Sequence, residues 1–139
     1  MKRKVLGIML FLLILPIFFG CQAETSTTEF HSGQITFELY DQEGVKISEK
    51  TVSFDADDTL LSLLMDNYTV YCQGQDGNPD ETCSFETQYG YYIMGIDTVT
   101  AFTGNAYIAM YVNDAYSMTG ISDTPVVDGN VYQFKFETY

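Results

Sequence analysis

Residues 33–44 read GQITFELYDQEG, and the pattern of this stretch indicates the fold class. Ile35, Phe37 and Leu39 alternate with more polar side chains, which is the period of a β-strand with one buried face. Residues 41–44 supply the acidic and glycine chemistry of a turn. A second apolar series runs through residues 45–54, so the sequence predicts a β-hairpin at this point.

The apolar pattern changes from a strand period to a helix period at residue 60. The leucines of residues 60–64 would share one face of a short helix that ends at residues 66–67. The aspartates of residues 55–58 come just before it, where carboxylates accept from unpaired amides and complement the helix dipole. Such a cluster could also hold a metal, but capping is the commoner use, and we predict a helix capped by these aspartates.

Short strand-like runs separated by Gly, Asn and Asp fill the rest of the chain. They cover residues 68–72, 89–97, 99–102, 106–113 and 131–136. With the hairpin, the chain would hold about six or seven strands and one helix. The predicted fold class is α+β, a mainly antiparallel β-sheet with one short helix packed on it. The order of these elements resembles a β-grasp arrangement.

The first twenty residues are typical of an export signal. Residues 2–4 are basic and residues 5–20 are apolar. As a helix, the apolar run would reach about 24 Å, short of a hydrocarbon core of roughly 30 Å. The run ends LPIFFGC at Cys21, which resembles the lipobox of bacterial lipoproteins. The resemblance implies a lipid on the Cys21 sulfur, with the protein anchored at the extracytoplasmic face of the bacterial cell membrane. The alternative is a secretory signal cut near Ala23, which would leave a free thiol.

A chain cut at Cys21 would be strongly acidic. Residues 21–139 carry nineteen acidic residues and three lysines, a formal charge of −16. That charge repels phosphate groups, so nucleic-acid binding and a basic membrane-binding face are both excluded. Membrane attachment would depend on the acyl chains, and two chains are enough for stable anchoring.

The residues after Cys21 are predicted to be a tether. Residues 21–32 are polar and rich in threonine, which indicates a flexible link to a single domain of residues 33–139. His31, the only histidine, lies in this link, and we interpret it as a solvated residue in preference to a metal ligand or a catalytic base. No nucleophile and base can be paired from the sequence, so we expect a protein that is not an enzyme.

The other two cysteines predict a disulfide. If Cys21 carries lipid, Cys72 and Cys83 are the remaining thiols in an oxidising space. The segment between them is rich in Gly, Asp, Asn and Pro, a composition that lets a loop bring its ends together. In the chain-entropy model, a bridge closing this loop stabilises the fold by about 3 kcal/mol.

The same loop is the best candidate for a metal site. Asp76, Asn78, Asp80 and Glu81 place oxygen ligands at the spacing that a hard divalent cation such as calcium takes. The loop is not an EF-hand, because its sixth position is Glu81 in place of glycine. The alternative is that these residues simply form turns.

Four stretches carry a resemblance to a known family. They are YGYYIMGI (89–96), YIAMYVND (107–114), TGI (119–121) and VVDGNVYQFKF (126–136). In this order they resemble the transcobalamin-like C-terminal domain family, a bacterial domain of unknown function that is similar to the β-domain of transcobalamin and intrinsic factor. The resemblance covers residues 33–139. It implies the helix-on-sheet fold and, as a ligand, a corrinoid such as cobalamin.

Tyrosines beside the strands are the candidate ligand-binding residues. Tyr91, Tyr92 and Tyr116, with Asn113 and Asp114, offer flat apolar faces and polar tips, although tyrosines on strands commonly pack against each other. We expect Tyr116, beside a turn, to be exposed. The predicted function is a lipid-anchored binding module for a small ligand. The alternatives are a metal-binding surface protein and a structural or adhesive envelope module with a transporter or envelope partner.

Overall fold

The stretch GQITFELY forms a strand, as its alternation predicts. The structure is a computed structural model that describes residues 32–139. This part of the chain contains nine strands and one helix. They are β1 (Gly33–Tyr40), β2 (Lys46–Phe54), α1 (Leu60–Asn67), β3 (Val70–Gln73), β4 (Pro79–Asp80), β5 (Ile93–Ile96), β6 (Val99–Thr100), β7 (Ala106–Val112), β8 (Ala115–Tyr116) and β9 (Val131–Thr138).

A five-stranded sheet carries most of the fold. Its strand order is β2-β1-β9-β7-β8. β1 and β9 run parallel at its centre, with Thr36 opposite Val131, and the other neighbours are antiparallel. The helix follows the first hairpin and its leucines join the core on one face of this sheet. The predicted α+β class, with a β-grasp-like order, is therefore confirmed.

The core lies between the helix and the five-stranded sheet. Phe37 of β1 and its neighbours Tyr132 and Phe134 of β9 are buried, with ring centroids 6.2 to 6.3 Å apart. The Tyr132 hydroxyl donates to the Pro125 carbonyl at 2.6 Å and accepts from the Val127 amide at 3.1 Å. The polar tip of this buried ring is therefore satisfied, and it holds the segment before β9 against the sheet.

The helix begins differently from the prediction. Thr59 is the N-cap: its Oγ1 accepts from the Ser62 amide at 3.1 Å, and the Ser62 hydroxyl oxygen accepts from the Thr59 amide at 3.0 Å. This is a capping box, and the first turn contains no acidic residue. The prediction that the aspartates of residues 55–58 cap the helix is therefore wrong. Asp58 instead accepts from the Asp55 amide at 2.8 Å, which closes the turn before the helix.

A second, smaller sheet has the order β4-β3-β5-β6, and all its pairs are antiparallel. Cys72 on β3 forms a disulfide with Cys83, which follows β4, and their Cα atoms are 5.0 Å apart. Both cysteines belong to the core. The predicted Cys72–Cys83 bridge is confirmed, and it closes the loop that carries β4.

The predicted signal of residues 1–20, the lipidation site Cys21 and His31 lie outside the described residues. Within residues 32–139, no helix combines the length and the apolar character that crossing a bilayer requires.

Candidate binding site at the edge of β7

β7 is covered on one side only along most of its length. β9 pairs with all of it, from Ala106 to Val112, whereas β8 pairs with only Tyr111 and Val112. β8 is short because the chain turns away after Tyr116. Among the described residues, no strand pairs with the remaining edge of β7, and a cavity separates this edge from the start of β5.

Two residues make the hairpin turn between β7 and β8. Asn113 and Asp114 both take positive φ angles, 49° and 69°, which side chains such as Asn and Asp tolerate best. The Asn113 side chain donates to Asn130 Oδ1 at 2.9 Å and accepts from the Val131 amide at 2.8 Å. Asp114 accepts from the Gln133 side chain at 2.8 Å. These predicted ligand residues fasten the turn to β9, and they lie outside the lining of the cavity.

The cavity has a volume of about 250 Å³ and is enclosed by two arms. One arm is residues 91–93, which lead into β5 and include its first residue, and the other is residues 117–121, after β8. The floor is formed by residues 107–110 of β7 together with Phe134. Tyr91, Tyr92 and Tyr116, which are distant in sequence, all contribute to the lining. The structure therefore brings together three of the five predicted ligand residues.

A hydrogen bond connects the backbone of the first arm to the side chain of Ser122, the residue directly after the second arm. The Tyr91 amide donates to the Ser122 hydroxyl at 2.9 Å. Gly90 has a φ of 95°, and a Cβ at this position would lie 2.6 Å from that hydroxyl oxygen. On its other side, the Tyr92 carbonyl accepts from the Gln73 amide of β3 at 2.8 Å. Only glycine fits at position 90, and the arm is held at both ends.

The phenols around the cavity are held in their neutral form. Burial and a hydrogen bond with Tyr139 raise the pKa of Tyr92 to about 12. The Tyr107 hydroxyl donates to Glu137 at 2.7 Å, and this bond raises the pKa of Tyr107 to about 12. The Tyr139 ring stacks on Tyr107, with centroids 4.9 Å apart. At neutral pH the Tyr92 and Tyr107 phenols therefore carry no charge and remain hydrogen-bond donors.

The mouth of the cavity is surrounded by exposed apolar side chains. Met118, Tyr116 and Tyr92 line the cavity and are 91%, 51% and 41% exposed. Tyr89, two residues before the first arm, does not line it and is 82% exposed. The predicted exposure of Tyr116 is confirmed. Its ring also makes an edge contact with Tyr111, 5.5 Å between centroids, so it is both a packing partner and a surface residue. Apolar groups gathered at a cleft in this way mark a binding surface.

The residues of the cavity floor and Met118 were not among the predicted ligand-binding residues. The floor is backbone and side chain of β7, and nothing in a strand's own sequence tells which of its edges is paired. One available signal was Ser117 to Gly120, a polar and glycine-containing stretch directly after a two-residue strand. It marks the point at which the hairpin stops covering β7.

The acidic loop predicted to bind metal is folded on its own hydrogen bonds. Asp80 accepts from the amide and hydroxyl of Thr82 at 2.9 and 2.7 Å, and from those of Ser84 at 3.0 and 2.7 Å. These bonds hold the pKa of Asp80 well below its ordinary value. Asp76 accepts from the amide and the side chain of Asn78, which lowers its pKa as well. Within residues 32–139, no three or more His, Cys, Asp or Glu side chains are grouped to hold a metal ion.

Comparison with known proteins supports the fold. No family model and no curated protein matches the chain. A proposed metal binding protein from Ruminococcus gnavus ATCC 29149 is similar in structure, with a TM-score of 0.57 and 19% sequence identity, over 77% of this chain and 98% of that one. Haptocorrin in complex with Cbi gives a TM-score of 0.55 and 12% identity, over 78% of this chain and 25% of haptocorrin.

At these identities the similarity shows the fold alone. Haptocorrin belongs to the transcobalamin family, so the predicted resemblance is confirmed at the level of the fold. The chain spans about a quarter of haptocorrin. The Ruminococcus gnavus neighbour is described as a proposed metal binding protein, and haptocorrin was solved in complex with Cbi.

Proposed function

We propose that this protein is a lipid-anchored binding module at the extracytoplasmic face of a bacterial membrane, and that it captures a small ligand such as a corrinoid. The observation that carries the proposal is the meeting of Tyr91, Tyr92 and Tyr116 at one cavity on the β7 edge. The fold shared with haptocorrin, which was solved in complex with Cbi, supports a corrinoid as the ligand class. The lipobox-like ending at Cys21 supports the anchor.

The size of the cavity decides how such a ligand would bind. At about 250 Å³ it is smaller than the roughly 300–1,000 Å³ of pockets that enclose a drug-sized ligand. A macrocycle would therefore lie across the mouth, against the exposed faces of Tyr92, Tyr116 and Met118, with one substituent inserted. The Tyr107 hydroxyl already donates its proton to Glu137, so it would accept a hydrogen bond from an amide N–H of the ligand.

Equilibrium dialysis against cobalamin tests this proposal. The full chain in detergent should retain cobalamin at about 50 µM. Tyr92→Ala and Tyr116→Ala should each weaken retention by about tenfold, because each removes an aromatic face at the mouth. Phe102→Ala is the matched control, since Phe102 is also an exposed aromatic but packs on Tyr71 and does not line the cavity. No retained cobalamin, or equal losses in all three variants, would refute the corrinoid.

A second candidate function is binding of a divalent cation such as calcium by residues 76–81. The metal binding proposed for the Ruminococcus gnavus neighbour favours this function, as does the alternation of oxygen-bearing side chains in the loop. A cation would have to compete with the hydrogen bonds that Asp76 and Asp80 already accept. Calorimetric titration with calcium is the test, with Asp80→Asn as the loop variant and Asp66→Asn, an exposed aspartate on α1, as the control. Absence of heat at about 1 mM calcium would remove this function.

A further inference from the structure

The edge of β7 presents unpaired backbone groups at the floor of the cavity. In an antiparallel ladder, successive residues turn their backbone groups to opposite sides. The Asn113 amide donates to the Val131 carbonyl at 2.8 Å, so odd-numbered residues of this strand face β9. The Met110 carbonyl accepts from the Ser117 amide at 2.9 Å, so even-numbered residues face the opposite side.

Ile108 is therefore turned with both its N–H and its C=O toward the cavity, as is the N–H of Met110. None of these three groups makes a hydrogen bond within residues 32–139. The two donors, on alternate residues of the strand, are about 7 Å apart, and the acceptor lies between them. A ligand that matches this series is a polypeptide in extended conformation, which adds a strand to the sheet edge.

The charged side chains around the cavity determine which peptide charge would be attracted to this edge. A recess that shares residues 118–120 with the cavity is lined by Glu86 and Asp123. Two lysines of the described chain are on β2. The third, Lys135 of β9, is opposite the floor residue Ala109, but its ammonium lies over the Tyr111 ring, 4.3 Å from the centroid, and the residue does not line the cavity. Residues 32–139 carry seventeen acidic residues and three lysines, a formal charge of −14. Two copies of this chain would repel each other at the edge, whereas a basic peptide would be attracted.

We infer that the β7 edge binds an extended, basic peptide segment by strand addition. The cavity of about 250 Å³ holds only the few peptide residues opposite Ile108 and Met110 between the arms 91–93 and 117–121, and the flanking residues would lie across the mouth. Main-chain hydrogen bonds to Ile108 and Met110 would supply the part of the affinity that does not depend on the peptide's sequence. The aromatic and methionine side chains at the mouth would select apolar residues that alternate with the basic ones. This inference goes beyond the proposed function, because it concerns the backbone of the edge and holds whether or not a corrinoid binds.

Synthetic heptapeptides that alternate lysine with valine, leucine or phenylalanine are the probes. They are titrated into the full, ¹⁵N-labelled chain in detergent, with amide hydrogen exchange followed residue by residue. Binding should be detectable below about 1 mM peptide. Exchange should slow by about tenfold at the Ile108 and Met110 amides. The Ala109 and Tyr111 amides face β9 already, so they serve as internal controls that should not change.

A second set of probes carries the same side chains with every backbone nitrogen methylated. These peptides cannot donate along the edge, and they should bind about tenfold or more weakly. Equal binding by the methylated set would overturn the inference, as would no binding by any probe at about 1 mM. Protection of Ile108 and Met110 that grows with protein concentration in the absence of peptide would also overturn it, since a second copy would then occupy the edge. Cobalamin retention is measured separately, so its failure leaves these readouts intact.

Discussion

Removal of the Cys72–Cys83 disulfide should lower the stability of this domain by a predictable amount. The bridge joins residues 11 apart in sequence, and both cysteines are part of the core. For a closed loop of about twelve residues, the chain-entropy relation gives about 3 kcal/mol at 25 °C. That is a large share of a total that is typically about 5–15 kcal/mol.

Urea denaturation followed by tyrosine fluorescence measures the effect. With a slope of about 1.5 kcal/mol per molar urea, the loss corresponds to a midpoint about 2 M lower. The Cys72→Ala, Cys83→Ala double variant should show this shift, and adding dithiothreitol to the wild-type protein should reproduce it. The variant itself should not respond to dithiothreitol, which controls for other effects of the reductant.

The same perturbation should reach the candidate site. Gln73 follows Cys72 on β3, and its amide donates to the carbonyl of Tyr92 in the first arm. Loosening β3 should therefore weaken ligand binding along with stability. A wild-type midpoint that moves by less than about 0.3 M on full reduction would contradict the expected loss of about 3 kcal/mol, because it would mean that the unfolded loop loses little freedom on closure.

Three further predictions concern the site and the anchor. The bond to Glu137 raises the pKa of Tyr107 from 10.0 to about 12, so stability from this pair is present below pH 10 and is lost as pH rises through 12. Ultraviolet titration of Glu137→Gln should show this phenol ionising nearer pH 10, and an unchanged titration would contradict the assignment. Gly90→Ala should lower stability by about 1–3 kcal/mol through its positive φ and the close serine hydroxyl. Gly104→Ala, which meets no atom within 4 Å, is the control, and equal urea midpoints for the two variants would count against the close approach. Cys21→Ser should abolish incorporation of radiolabelled fatty acid in cells, and labelling that persists would disprove the lipobox assignment.

The elements that sequence reasoning located correctly are those with long, clean periodicity. The alternation of Ile35, Phe37 and Leu39 specifies both β1 and the face that it buries, and the leucines of residues 60–64 specify α1. Both signals come from burial of one face of the element, because the buried positions appear in the sequence as regularly spaced apolar residues. The composition of the 73–82 loop likewise allowed the disulfide to be predicted, because it depends on loop closure and redox compartment.

The features that sequence reasoning did not find depend on contacts between distant parts of the chain. The runs predicted at residues 68–72, 89–97 and 99–102 overlap β3, β5 and β6, but the two-residue strand β4 was missed because it is too short to show a period. That these short strands form a second sheet of their own has no local signal. Pairing of Thr36 with Val131 across the centre of the larger sheet has no local signal at all. For the site, the tyrosines were identified by their chemistry, but Asn113 and Asp114 were assigned to ligand binding when the structure uses them to fasten the turn.

The open edge of β7 is a costly feature that the fold does not need. Uncovered strand edges invite aggregation, and proteins usually block them with charge, proline or an additional strand. Here β8 could extend alongside Ile108, but the chain leaves after Tyr116 and the Thr119 to Gly120 segment forms the wall of a cavity instead. The high negative charge limits self-association at this edge without filling it. Within the described part of the chain, the edge of β7 is unpaired beside Ile108 and lies next to exposed aromatic side chains. This combination is best explained as a binding site for an external molecule.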